Sequence, residues 1–193
     1  GMPVGPLSLN DEVAVDLAWK ILQATKADLG ADVIDPRQEA LLEEMVVKRG
    51  RLGRKNGKGF YDYPDNAPKR LWPGLAELAG APRPAETFSV EELKQRFLVI
   101  QALETARCVE EGVITDVRDA DVGSILGFGY APFTGGTLSY IDGMGVKEFV
   151  ALCERLAGRH GDRFKPAPLL VEMAKRGESF YTRFAPGKGK KAA

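Results

Sequence analysis

An all-α fold is predicted for this 193-residue chain. Three observations predict it. Apolar residues recur at helical spacing along most of the sequence, cap and stop residues bracket those stretches, and several stretches occur twice.

The first predicted helix covers about residues 10–25. Ser8 and Asn10 precede Asp11 and Glu12, and Leu9, Val13, Leu17 and Ile21 follow one another every four residues. An acidic start suits the positive end of the helix dipole. Asp35-Pro36 is a cap with a first-turn proline, and opens a helix carrying Leu41, Leu42, Met45 and Val46 that stops at Gly50. Residues 51–63 form a Gly- and Lys-rich loop running into Phe60-Tyr61-Asp62-Tyr63, the one hint of extended structure. Proline-rich residues 64–88 read as a linker with a short helix around Leu75–Leu78. Ser89-Val90-Glu91-Glu92 has the pattern of a capping box. It opens the longest helix, to about Glu111, with Val90, Leu93, Phe97, Ile100 and Leu103 on one face. Thr115 is expected to cap a helix near Asp116–Ile125. Further helices are predicted near Leu138–Asp142, Val146–Ala157 and Pro166–Arg176, and residues 185–193 read as a flexible, lysine-rich tail.

The repeat organises these elements. Leu7-Ser8-Leu9-Asn10-Asp11 through Val15 aligns with Leu138-Ser139-Tyr140-Ile141-Asp142 through Val146. Leu41-Leu42-Glu43-Glu44-Met45 aligns with Leu169-Leu170-Val171-Glu172-Met173, and Gly59-Phe60-Tyr61 with Ser179-Phe180-Tyr181. Matches in the same order at three places predict two tandem copies of one unit, residues 1–63 and 89–184. The long helix of the second copy has no counterpart in the first, which is expected to be truncated at its N-terminus. Gly1-Met2-Pro3 reads as a cleavage scar joined to native sequence. Without that helix the Leu9, Val13, Leu17, Ile21 face needs cover, either from the second copy or from a neighbouring chain in a homodimer.

Composition narrows the function classes. Lys plus Arg and Asp plus Glu each number 27, and this balance argues against nucleic acid or an anionic membrane surface as an obligate partner. No apolar run is long enough for a membrane span and no signal peptide opens the chain, so membrane insertion is not expected. Cys108 and Cys153 lie in helix-like stretches, as in a reduced, cytoplasmic protein.

Few residues offer chemistry. His160, the only histidine, sits at a helix exit where a basic side chain complements the dipole. One histidine and two distant cysteines do not make a zinc shell. Catalytic and metal-binding residues are therefore not assigned. Gly53-Arg54-Lys55-Asn56-Gly57-Lys58-Gly59 departs from the phosphate-loop pattern and follows a helix rather than a strand. A tight turn with solvated lysines is the favoured reading, and contact with a phosphorylated ligand is its alternative. The segment from Gly127 to Gly136 is a shaped apolar turn. It reads either as a helix–helix corner or as the wall of an apolar ligand cleft.

Several of these motifs resemble a known family. Pro3-Val4-Gly5-Pro6-Leu7 with Asp11-Glu12-Val13, and Gly53 through Tyr61, resemble the C-terminal domain of 3-hydroxyacyl-CoA dehydrogenases. Glu110-Glu111-Gly112-Val113-Ile114, Gly127-Phe128-Gly129 and Pro132-Phe133 with Gly135-Gly136 resemble its second copy in multifunctional fatty-acid β-oxidation enzymes. The resemblance covers essentially residues 2–184. It implies a parent dehydrogenase of the α-subunit type, with an enoyl-CoA hydratase part and an upstream Rossmann domain. That domain would bind NAD and supply the catalytic histidine, so this piece holds no cofactor and is inactive alone. Its implied role is to close the acyl-CoA cleft and to pack against a partner unit. Leu126, Gly127, Phe128 and Tyr130 are the candidate substrate-binding residues. Leu126 stands where the multifunctional type carries a tyrosine, which leaves an apolar lining only. The competing reading is a free-standing helical acyl-CoA-binding or protein-interaction module.

Overall fold

The computed structural model describes residues 3–81 and 83–185. They form two compact units that divide after Pro84.

The first unit opens with α1 (Pro6–Val13) and α2 (Val15–Leu29). The sequence reads as one helix here, but the structure breaks it at Ala14, which has φ 83° and ψ 125°. Ala14 is the only non-glycine residue with positive φ among those described. Gly30 (φ 93°, ψ 168°) ends α2, and a 3-10 turn, Ala31–Val33, leads on. α3 (Pro36–Glu43) starts as expected: the Asp35 carboxylate accepts the amide of Arg37, and proline fills the first turn. It continues as a π-helical turn, Glu44–Lys48. Lys26 Nζ donates to Glu39 Oε1 at 2.7 Å, tying α2 to α3.

The Gly- and Lys-rich loop then enters β1 (Tyr61–Asp62), which pairs antiparallel with β2 (Arg70–Leu71). α4 (Leu75–Ala79) closes the unit. Residues 64–84 are therefore not a linker. Trp72 donates its amide to the Phe60 carbonyl, and Trp72, Leu75 and Leu78 pack on the core of Val15, Leu22, Leu42, Met45 and Phe60. Arg51 locks this end. It is buried, donates from Nε to the Gly59 carbonyl at 2.7 Å, and reaches Asp62 Oδ1 at 2.6 Å. Its guanidinium lies 4.1 Å from the Trp72 ring centre.

The second unit starts at residue 85. Ser89 Oγ accepts the Glu92 amide and opens α5 (Val90–Glu110). The face expected to be buried is only partly so. Val99, Ala102, Leu103 and Ala106 are in the core, whereas Val90 and Phe97 are exposed. The alanines win these positions because α7 lies directly against α5, and a small side chain lets two helices approach closely. Asp116, rather than Thr115, caps α6 (Val117–Phe128) by accepting the Arg118 amide at 2.9 Å. There follow α7 (Thr137–Met144), α8 (Val146–His160), α9 (Pro168–Arg176) and α10 (Phe180–Arg183). The last of these is absent from the sequence-based reading. Most of the expected tail, residues 186–193, lies outside the described residues.

Matching elements recur in the two units. α1 and α7 each have 8 residues, and α2 and α8 each have 15. Gly145 (φ 95°, ψ 126°) separates α7 from α8 as Ala14 separates α1 from α2. Gly161 (φ 94°, ψ 175°) ends α8 and leads to a 3-10 turn, Asp162–Phe164. Core residues Leu42 and Met45 in one unit correspond to Leu170 and Met173 in the other. α5 and α6 have no equivalent among the described residues of the first unit. No helix among the described residues is long and apolar enough to cross a membrane.

Candidate functional site

The polar groups that matter most to the architecture are three aspartates, two buried and one half-buried. Asp11, fully buried at the end of α1, accepts the amides of Phe60 (2.7 Å) and Tyr61 (2.9 Å) and the Tyr63 hydroxyl (2.9 Å). Burial, followed by the bond to Asp11, pushes the Tyr63 hydroxyl pKa upward. Gly59 is needed for this approach, since a Cβ there would lie 2.0 Å from Asp11 Oδ1. Asp142 in α7 repeats the arrangement, accepting the amides of Phe180 (2.8 Å) and Tyr181 (3.1 Å). Asp121, also buried, accepts the Leu138 amide, the Ser139 hydroxyl and the Tyr181 hydroxyl. Each carboxylate is consumed by donors from its own unit. They tie segments distant in sequence to one another.

The Gly53–Gly59 loop is equally occupied. Gly53 and Lys58 exchange backbone hydrogen bonds, and Gly57 and Gly59 donate to Arg54 and Tyr61 carbonyls. Arg54 pairs with Glu12 at 2.6 Å, and Lys55 pairs with Asp16. The loop is a turn stapled to α1 and α2, with those two cations spent on helix carboxylates. Of its two sequence-based readings, the turn is the one these contacts fit. The NAD implied for the parent protein does not fit these residues: the glycine-rich turn follows a helix, and its amides face their own chain.

His160 Nε2 lies 3.0 Å from Glu92 Oε1, and Arg159 Nη1 lies 2.6 Å from Glu92 Oε2. The bond to His160, with help from Arg159, lowers the Glu92 pKa. This trio ties the end of α8 to the start of α5. Cys153 is buried, and burial pushes its thiol up to about 12, far from a reactive thiolate at neutral pH.

The candidate substrate residues cluster at the end of α6. Leu126 is 81% exposed and Phe128 48% exposed, and Gly127 sits between them on the outer face. Tyr130 points the other way. It is buried, and its hydroxyl donates to the Leu98 carbonyl at 3.1 Å. Its ring meets Phe128 and Tyr140 edge-on at 6.4 and 6.3 Å. Tyr130 thus anchors the turn, and only Leu126, Gly127 and Phe128 face outward. Val122 and Phe133 are also exposed there. The signal for Val122 was available in its i, i+4 spacing to Leu126 on α6. The segment is a corner on its inner side and an open apolar surface on its outer side.

Fold and surface define an all-α domain region whose buried polar groups are structural and whose accessible feature is apolar. Residues 1–63 match the family model described as 3-hydroxyacyl-CoA dehydrogenase, C-terminal domain. A solved structure, the 3-hydroxybutyryl-CoA dehydrogenase of Escherichia coli K12, is similar with a TM-score of 0.58 and 21% identity. The similarity covers 92% of this chain and 52% of that one, so the chain spans about half the length of that relative. The resemblance seen in the sequence motifs is thereby borne out for residues 1–63, and the solved structure shows a similar fold over most of the chain.

Proposed function

We propose that the chain is the C-terminal helical part of an NAD-dependent 3-hydroxyacyl-CoA dehydrogenase of fatty-acid β-oxidation. In this reading it consists of two tandem copies of one unit, as in the multifunctional, cytoplasmic type. It supplies a wall of the acyl-CoA cleft and a packing surface for its own dinucleotide-binding domain, and does no chemistry alone. The observation that carries the reading is the paired use of Asp11 and Asp142. Each closes its unit by accepting the amides of a Phe-Tyr pair, and the first lies within the segment matched by the family model. The outward Leu126 and Phe128 suit an acyl chain, because burying them against one removes apolar surface from water.

Titration of a long-chain acyl-CoA tests this reading against a free-standing acyl-CoA-binding module. A few apolar contacts, without the dinucleotide-binding face, support roughly millimolar to high-micromolar affinity, about −4 to −6 kcal/mol. Leu126→Asp should weaken it further. Sub-micromolar binding would favour the free-standing module instead.

A further inference from the structure

The first unit exposes an apolar face whose counterpart within the second unit is covered by that unit's own helix. Leu9 (50%), Val13 (52%), Leu17 (46%) and Ile21 (57%) are open to solvent on α1 and α2. Taking the units as copies, their positions in the second unit are those of Tyr140, Met144, Glu148 and Leu152. Tyr140 and Met144 pack against the second core, and Leu152 is 4% exposed within it. Glu148 alone remains exposed. That core is closed by α5, which lies against α7 and contributes Val99, Ala102, Leu103 and Ala106 at i, i+3, i+4 and i+7 spacing.

We infer that the α1–α2 face of the first unit is a docking site for one amphipathic helix with the chemistry of α5, presenting aliphatic and alanine side chains on a single stripe. A helix is the occupant because the matching surface in the same chain takes one. The backbone that shapes the surface also agrees between units: helices of equal length meet at Ala14 (φ 83°, ψ 125°) in one and at Gly145 (φ 95°, ψ 126°) in the other. The footprint has an edge. Leu17 corresponds to the solvated Glu148 and lies outside it, whereas Ile21 corresponds to the buried Leu152 and lies inside. The inference rests on reading the two units as copies, as proposed above.

The test adds a synthetic peptide of the Ser89–Glu111 sequence to the whole chain in reducing buffer. Trp19 and Trp72, the two tryptophans of the sequence, both belong to the first unit, and the peptide has none, so tryptophan emission reports on the first unit alone. Saturable binding is expected, weakened at least tenfold by Ile21→Asp and changed less than about twofold by Leu17→Glu, with the thermal melt of each variant showing that it folds. An absence of binding, or equal binding by a scrambled peptide, would overturn the docking site while leaving the copy reading on its Asp11 and Asp142 footing. Equal loss in both variants would overturn the copied footprint. A dimer in sedimentation that Ile21→Asp dissolves would overturn the helix as occupant in favour of a second copy of the chain.

Discussion

Ala14 and Gly145 occupy the same backbone turn, each separating an 8-residue helix from a 15-residue one at φ 83° and 95°, ψ 125° and 126°. Glycine visits this region freely, and an L-residue held there costs about 1–3 kcal/mol. Ala14→Gly relieves that strain, offset by about 0.5–1 kcal/mol of extra chain entropy. A net stabilisation of about 0.5–2 kcal/mol is expected. Urea unfolding of the two proteins checks it, and an unchanged or lowered midpoint in the variant contradicts it.

Asp11 is expected to be the most costly single polar position in the first unit. Asp11→Ala strands two amides and a tyrosine hydroxyl, at about 1.5–3 kcal/mol per lost charged hydrogen bond, or on the order of 4.5–9 kcal/mol in all. Asp142→Ala strands only two amides at a less buried site and should cost less. Denaturation curves of the two variants give the ranking, and a loss below about 1 kcal/mol at Asp11 would sink the role assigned to it.

These pairings were only partly legible in the sequence. The repeat alignment puts Asp11 opposite Asp142 and Phe60 opposite Phe180, yet nothing local marks Asp11 as buried or Asp142 as half-buried. Such residues are ordinarily exposed, and their donors lie about fifty residues away in the first unit and nearly forty in the second. Asp35-Pro36 and Ser89 were readable because a cap acts within three residues. The Ala14 break was not, because alanine is the best helix former and sits inside a run with helical spacing. The α5 core face differs from the one its large apolar residues predict for a related reason: Ala102 and Ala106 are buried because a neighbouring helix comes close. Prolines 64–84 suggested a linker, and the contacts that bind this segment, around Trp72 and Arg51, are tertiary. At the candidate site the apolar outer rim was legible from Leu126 and Phe128. The inward turn of Tyr130 depends on a carbonyl in α5 that no local pattern reveals.

Acid should loosen the helix starts. The bond from Arg118 lowers the Asp116 pKa to about 2 from 3.8. Asp16, Glu39, Glu44 and Glu92 are also lowered, chiefly by their bonds to Lys55, Lys26, Lys48 and His160. Depressed carboxylates contribute stability that is present above their unfolded pKa and lost as pH falls through the folded value. For Asp116 the loss falls between pH 3.8 and about 2. Urea midpoints measured down this range should fall, and the gap between wild type and Asp116→Asn should close. A gap that persists at the acid end contradicts this assignment.

Thiol labelling should distinguish the cysteines. With its pKa pushed up to about 12 by burial, Cys153 should resist a thiol reagent at neutral pH, while the half-buried Cys108 is reached. Mass spectrometry is expected to find one label, at Cys108, in the native chain and two after denaturation. Early modification of Cys153 would show that the second core is open.

The most direct test of the account is NADH formation from a 3-hydroxyacyl-CoA and NAD. Hydride transfer needs a positioned nicotinamide and a base within hydrogen-bond reach of the substrate hydroxyl, and His160 is engaged with Glu92. The chain alone should give no turnover. Mixing it with the dinucleotide-binding part of a 3-hydroxyacyl-CoA dehydrogenase that lacks its own helical part should restore turnover. Turnover by the chain alone that His160→Ala abolishes, or a mixture that stays silent, would contradict the account.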